Sequence, residues 1–170
     1  RKRNKEMVIW IIGLSGSGKT FLSKKIFKKL NGKKILVDGD VVRKYLTYDL
    51  SYTKKDREKN SQFISDLCKF LEIQGFTVVC SILSIFIKHQ KQNRKKFNNY
   101  FQIFINSKIS ELKKRNTKNI YSRKNVVGKN IDFPSPIKSD LIIKNNFMPY
   151  SHKKIDQIIK KINNAKKNKK

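Results

Sequence analysis

The chain has 170 residues, with 41 Lys and Arg against 12 Asp and Glu, so it carries a net charge of +29. Its length suits one domain with a sizeable core, and no apolar stretch reaches the roughly 18 residues that a membrane-spanning helix needs. The two cysteines, Cys68 and Cys80, lie far apart without metal-ligand spacing and read as buried free thiols of a reducing cytoplasm, not as a disulfide. The lysines are spread along the whole sequence among many Asn and Ile, and aromatics do not interleave with them. That distribution argues against a specific nucleic-acid surface, while still attracting anionic nucleotides.

In chain order, residues 1–6 form a charged N-terminal extension and Met7 reads as a natural start, with no secretory signal. Val8–Ile12 is a continuous apolar run, the signature of a strand buried on both faces. Gly13-Leu14-Ser15-Gly16-Ser17-Gly18-Lys19-Thr20 follows it, and Phe21, Leu22, Ile26, Phe27 and Leu30 then recur at helical spacing over 19–30. Lys34–Val37 is the next strand and ends at Asp38-Gly39-Asp40. A helix is predicted over 54–74, a strand over Thr77–Ser81, a helix over 86–97, a strand over Tyr100–Ile105 and a helix over 107–115. Residues 116–139 have no periodicity and contain Gly128, Pro134 and Pro136; a piece of that length in a compact domain reads as a lid. Asp140–Ile143 is the last strand, 151–166 the last helix, and 167–170 a basic tail. Alternating strands and helices predict a parallel sheet covered on both faces. The expected domain is 7–166: an α/β, P-loop NTPase three-layer sandwich with a central parallel five-stranded sheet and a lid at about 116–139.

Residues 13–20 satisfy G-x-x-x-x-G-K-[ST] at every fixed position and stand between a strand and a helix, the context that gives the motif its meaning. There, unpaired backbone N–H groups and the helix dipole favour a polyphosphate. Gly13, Ser15, Gly16, Ser17 and Gly18 form the cradle. Lys19 reaches the β- and γ-phosphates of ATP, and the Thr20 hydroxyl holds Mg²⁺. Asp38 and Asp40 arrive at a strand's carboxyl end, where parallel sheets bind ligands. Asp38 reads equally well as a helix N-cap. Asp40 is the stronger candidate for taking a proton from a substrate hydroxyl and helping to hold Mg²⁺.

Together with Asp38-Gly39-Asp40-x-x-Arg43 and Asp49-Leu50-Ser51-Tyr52-Thr53-x-x-Asp56-Arg57-x-x-Asn60, this loop resembles the adenylylsulfate kinase family. Ser81-Ile82-Leu83-Ser84 is similar to the family's Ser-Phe-Ile-Ser, and Arg115 to Tyr121 to its Arg-Asp-Val-Lys-Gly-Leu-Tyr. The resemblance implies ATP-dependent phosphorylation of the ribose 3′-hydroxyl of adenylylsulfate, with Asp40 as catalytic carboxylate. It implies that Arg43, Arg57 and Asn60 hold the anionic acceptor, with Asp38 beside them, and that Tyr52 stacks where the family has Phe. Ser84 matches a family serine that is sometimes phosphorylated, Lys118 reaches the phosphates from the lid, and Arg115 packs on the ATP adenine. A homodimer is implied by the resemblance alone. For Arg57 a surface ion pair, and for Arg115 and Lys118 a basic helix end, are the competing readings.

The departures fall on the acceptor side. Ser61, Gln62 and Phe63 stand where the family has Ile-Arg-Arg, Ile85 replaces its Pro and Ile87 its Arg. Phe133-Pro134-Ser135-Pro136 is expected to close over the base instead. An intact ATP half with a drifted acceptor half also suits a relative that phosphorylates cytidine diphosphoramidate in capsule decoration. A P-loop nucleotide-binding module without kinase activity is a third reading, weakened because no separate Walker-B-type strand or guanine motif is present.

Overall fold

The computed structural model describes residues 6–115, 119–121 and 124–167. Five strands, β1 (Val8–Gly13), β2 (Lys34–Asp38), β3 (Thr77–Ile82), β4 (Tyr100–Asn106) and β5 (Leu141–Lys144), make one sheet in the order β2-β3-β1-β4-β5. Every pairing is parallel, with Ile9 opposite Val79 on one side and Phe101 on the other. The predicted strands are all present, each within one or two residues of its expected ends.

Because side chains alternate along a strand, β1 feeds two cores at once. Met7, Ile9 and Ile11 pack against Leu22 and Ile26 of α1 (Lys19–Lys29) and against Ile155, Ile158 and Ile162 of α6 (His152–Lys167). Val8, Trp10 and Ile12 face the other way, onto Val42 of α2 (Gly39–Tyr45) and Ile64 and Cys68 of α3 (Lys54–Ile73). Helices α4 (Ile87–Lys96) and α5 (Ile109–Arg115) complete the chain. The central strand is therefore apolar at every position, and each fully buried Ile or Val contributes about 1.5–3 kcal/mol. Both cysteines are buried free thiols, and Cys68 of α3 touches Cys80 of β3 on one face of the sheet, where burial pushes the Cys80 thiol up.

Two features differ from the sequence expectation. Gly39–Tyr45 is a helix, started by Asp38, whose side chain accepts from the Asp40 amide. It is too short to show a helical period and holds through its cap and the burial of Val42. Residues 119–121 and 124–139 are irregular as expected, yet they are anchored. Val126 is buried, and Val127 is buried with Leu14, Ile85 and Leu112. Phe133 packs on Phe104 at 6.0 Å in the core instead of closing over a base. The buried Gln102 amide donates to the Ile137 carbonyl and Ser139 hydroxyl, and the Gln90 amide oxygen accepts from the Ile137 N–H. Among the described residues no helix is long and apolar enough to cross a membrane.

Candidate active site

The turn after β1 brings backbone and side chains to the carboxyl edge of the sheet. Gly16 and Gly18 take left-handed φ values of 80° and 87°, which a Cβ would resist, and Gly18 caps α1. Ser15, Gly16, Gly18, Lys19 and Thr20 line one end of a cleft of about 550 Å³. Gly13 and Ser17 lie beneath it: Ser17 is buried, and a Cβ on Gly13 would meet its hydroxyl at 2.6 Å. The Lys19 ammonium donates to the Leu14 carbonyl at 2.9 Å, which curls it over the loop.

Asp38 is placed differently from its expected acceptor-side role. Its Oδ2 accepts from the Thr20 hydroxyl at 2.7 Å and from the Ser81 hydroxyl at 2.9 Å, while Oδ1 accepts from the Asp40 amide at 3.0 Å. Burial alone would raise this carboxyl. The hydrogen bonds from Thr20, Ser81 and the backbone of Asp40 and Val41 outweigh burial and hold it below the usual carboxylate range. Asp38 is thus both the α2 cap and an ionised partner of Thr20. The chain neighbours make this possible: β2 and β3 end side by side, with Asp38 opposite Ser81. Asp40, in the first turn of α2, lines the same cleft.

The far end of the cleft is cationic. Arg43, Tyr52, Arg57 and Asn60, the residues that the family resemblance groups together, all line it. Arg43 donates to the Leu50 and Ser51 carbonyls at 3.2 and 2.8 Å. Arg57 donates through Nε to the Tyr52 carbonyl at 3.0 Å and through Nη2 to the Asn125 carbonyl at 2.9 Å, so it is no surface ion pair. Both guanidiniums pack on the Tyr52 ring, at 4.8 and 5.2 Å from its centre. Burial lowers both arginine pKa values, and Arg43 lowers that of Arg57 further. Two like charges share one ring, and such a pair is stabilised by an anion between them. The Asn60 amide oxygen accepts from the buried Thr47 hydroxyl at 2.6 Å. Asp56, in contrast, is structural: it accepts from Ser51 and Thr53 at the start of α3.

Two further expected site residues, Ser84 and Arg115, do not line this cleft. Ser84 is buried, and its hydroxyl has no hydrogen-bond partner among the described residues. It lines a small recess behind the cationic end and not the phosphate end, so a direct part in phosphoryl transfer does not follow from its position. Arg115 packs its guanidinium on the Phe147 ring at 4.6 Å. Lys118 lies outside the described residues. Sequence reasoning missed the wall opposite Asp40, which is built by Ile120, Lys124, Asn125, Val126 and Val127; the Tyr121 hydroxyl ties this segment to the Ser15 carbonyl at 3.1 Å. Nothing in the local pattern of that irregular stretch marks which residues face the cleft.

A phosphate loop at the edge of a five-stranded parallel sheet, with a carboxylate on its threonine and a cationic far end to the cleft, defines a P-loop kinase. The chain belongs to the adenylylsulphate kinase family, whose profile matches residues 5–144, and it is a nucleotide kinase. It is 34% identical over 169 residues to a cytidine diphosphoramidate kinase of Campylobacter jejuni, covering 94% of this chain and 98% of that one. An adenylyl-sulfate kinase of Paraburkholderia xenovorans is 30% identical over 152 residues, covering 84% and 85% of the two chains. Among solved structures, the Mycobacterium tuberculosis APS kinase in complex with AMPPNP and APS superposes with a TM-score of 0.81 at 22% identity, over 96% of this chain and 99% of that one. A likeness at that identity speaks for the fold.

Proposed function

We propose that the protein transfers the γ-phosphoryl group of ATP to the ribose 3′-hydroxyl of a nucleotide ending in a diphosphate-like anion. The observation that carries this reading is the single cleft that runs from the phosphate loop, past Asp38 and Asp40, to the Arg43–Tyr52–Arg57 cluster. Donor and acceptor ends are joined through one space, with a carboxylate between them.

Phosphoryl transfer asks the protein mainly for position and charge stabilisation. The loop amides and Lys19 hold the β- and γ-phosphates. Thr20 and the ionised Asp38 present hard oxygen donors side by side, which fits Mg²⁺. Among the described residues no group of three or more His, Cys, Asp or Glu could hold a metal. The protein therefore supplies few ligands, as is usual where phosphates and water complete the shell. When bound, the ion draws charge from the phosphate oxygens in the transition state. In this reading Asp38 takes the metal-side role first expected of Asp40, and Asp40 accepts the 3′-hydroxyl proton. Ile120 and residues 124–127 wall the cleft and limit water.

For the acceptor, the reading preferred over adenylylsulfate is its alternative, cytidine diphosphoramidate. Similarity over nearly the full length of a cytidine diphosphoramidate kinase supports this, as do the departures at Ser61 and Ile85, which both line the acceptor-side recess. The family profile is what favours adenylylsulfate. The test is ADP release with ATP and Mg²⁺ on each nucleotide, with Asp40→Asn as control. Acceptor-dependent turnover that the control loses is expected. ATP hydrolysis of equal rate with and without either acceptor would overturn the kinase reading of the cleft.

A further inference from the structure

Of the three departures after Asn60, only Ser61 lines the recess beside Arg43 and Arg57. Gln62 turns outward to Asp66, with its amide nitrogen 3.1 Å from Oδ2, and Phe63 is partly exposed. Ser61 lines a recess of about 40 Å³ that opens off the main cleft, with Arg43, Arg57, Asn60, Ser84 and Phe86 around it. By the one-probe-sphere measure that is room for about three water-sized groups, the outer atoms of one tetrahedral centre. The recess is built to take a polar guest: Arg43 and Arg57 line it, and the buried Ser84 hydroxyl has no partner among the described residues.

Behind Ser61 stands His89 of α4. The two are buried, and Nδ1 lies 3.0 Å from the Ser61 hydroxyl oxygen. The other ring nitrogen looks toward Glu58, with Nε2 to Oε1 at 3.9 Å. A carboxylate on that side favours the proton on Nε2, leaving Nδ1 as an acceptor. Burial keeps the ring below its ordinary pKa and so neutral at pH 7. Glu58 and Asp66 from α3 push the value up, and Lys88 and Lys96 from α4 push it down. The Ser61 proton is then committed to His89, and a lone pair of its oxygen is what remains for the recess.

We propose that Ser61 is the specificity-determining residue of the acceptor site and His89 its positioning residue: together they present a hydrogen-bond acceptor that selects a terminal group bearing N–H over one bearing only oxygens. A phosphoramidate end and a sulfate end carry the same single negative charge, so Arg43 and Arg57 attract both alike. Only a group that distinguishes N–H from oxygen separates them, and a site built to pair an N–H rejects the analogue that lacks it. This inference rests on the phosphotransfer reading and goes beyond it.

The test compares kcat/KM for the phosphoramidate and the phosphosulfate of one nucleoside, so that base and charge are matched. The wild type is expected to prefer the phosphoramidate by at least about tenfold, and Ser61→Ala to lose about tenfold of that preference. Affinity for a non-hydrolysable ATP analogue and thermal midpoint report whether the variant is folded. Should Ser61→Ala not fold, the wild-type pH profile decides. As pH falls through the His89 pKa, below about 6.5, Nδ1–H donates to Ser61, the hydroxyl turns its proton to the recess, and the preference falls. His89→Asn is expected to flatten that profile. A folded Ser61→Ala with an unchanged ratio, a ratio independent of pH, or a wild type that prefers the sulfate overturns the inference and leaves the phosphotransfer reading standing. No turnover of either nucleotide overturns both.

Discussion

Replacing Asp38 by Asn separates the two tasks that its carboxylate performs. The side chain accepts three hydrogen bonds, from Thr20, Ser81 and the Asp40 amide. Asn keeps an oxygen for the Asp40 amide and caps helices about as well as Asp. Its amide nitrogen faces the Thr20 and Ser81 hydroxyls, which can rotate to accept. Stability is therefore expected to change by no more than about 1 kcal/mol, a midpoint shift of about 2–4 °C for a domain of this size. Turnover should suffer far more, because the ionised oxygen beside Thr20 is gone. Losing one preorganised charge-stabilising group costs about 10²–10³ in kcat, or about 2.7–4 kcal/mol. The same variant tests the sign of the pH dependence. The Asp38 pKa is lowered in the fold, so its stabilising contribution is full above the unfolded value of about 3.9 and is lost as pH falls through the lower folded value. The variant should lack that part of the acid destabilisation. ADP release and thermal unfolding on the same preparation suffice. A variant that melts normally and keeps more than about a tenth of wild-type kcat would refute the metal-side role of Asp38.

Lys19→Ala should abolish phosphoryl transfer at near-normal thermal stability, since its ammonium curls over the loop to the Leu14 carbonyl and lines the cleft, outside the apolar cores; coupled ADP release measures it. Arg57→Lys should raise the acceptor KM by about tenfold or more, because an ammonium cannot hold the Tyr52 and Asn125 carbonyls and an anion together; initial rates against acceptor concentration check this, and an unchanged KM would remove Arg57 from the site. Gln102→Leu should cost about 1–3 kcal/mol, because it strips the buried partners of Ile137, Ser139 and Tyr100. Hydrogen exchange should then rise at 137–139, and an unaltered pattern would mean the segment is held by other contacts.

Most of the scaffold was legible in the sequence. Continuous apolar strands such as Val8–Ile12 can only be buried on both faces, and a strand, a G-x-x-x-x-G-K-[ST] loop and a helix in succession admit one local geometry. That Arg43, Tyr52, Arg57 and Asn60 share one wall came from the family resemblance and not from any periodicity of the chain. The short helix Gly39–Tyr45 was not legible, because its stability comes from a cap and from one buried valine, not from a repeat.

The chain by itself determined a phosphate-binding P-loop sandwich and the residue types of an anion-binding acceptor end. Only the tertiary structure decided what those residues do to one another. Strand order 2-3-1-4-5 sets Asp38 beside Ser81 and against Thr20, an arrangement no local pattern encodes because it depends on which strand lies next to which. Packing of α3 against α4 brings Ser61 to His89 across 28 residues of sequence. The same packing turns Gln62 out and Ser61 in. Periodicity reports which face of a helix is apolar; which polar side chain on that face meets a partner is fixed by the neighbouring element, and that is information the sequence carries only through the fold.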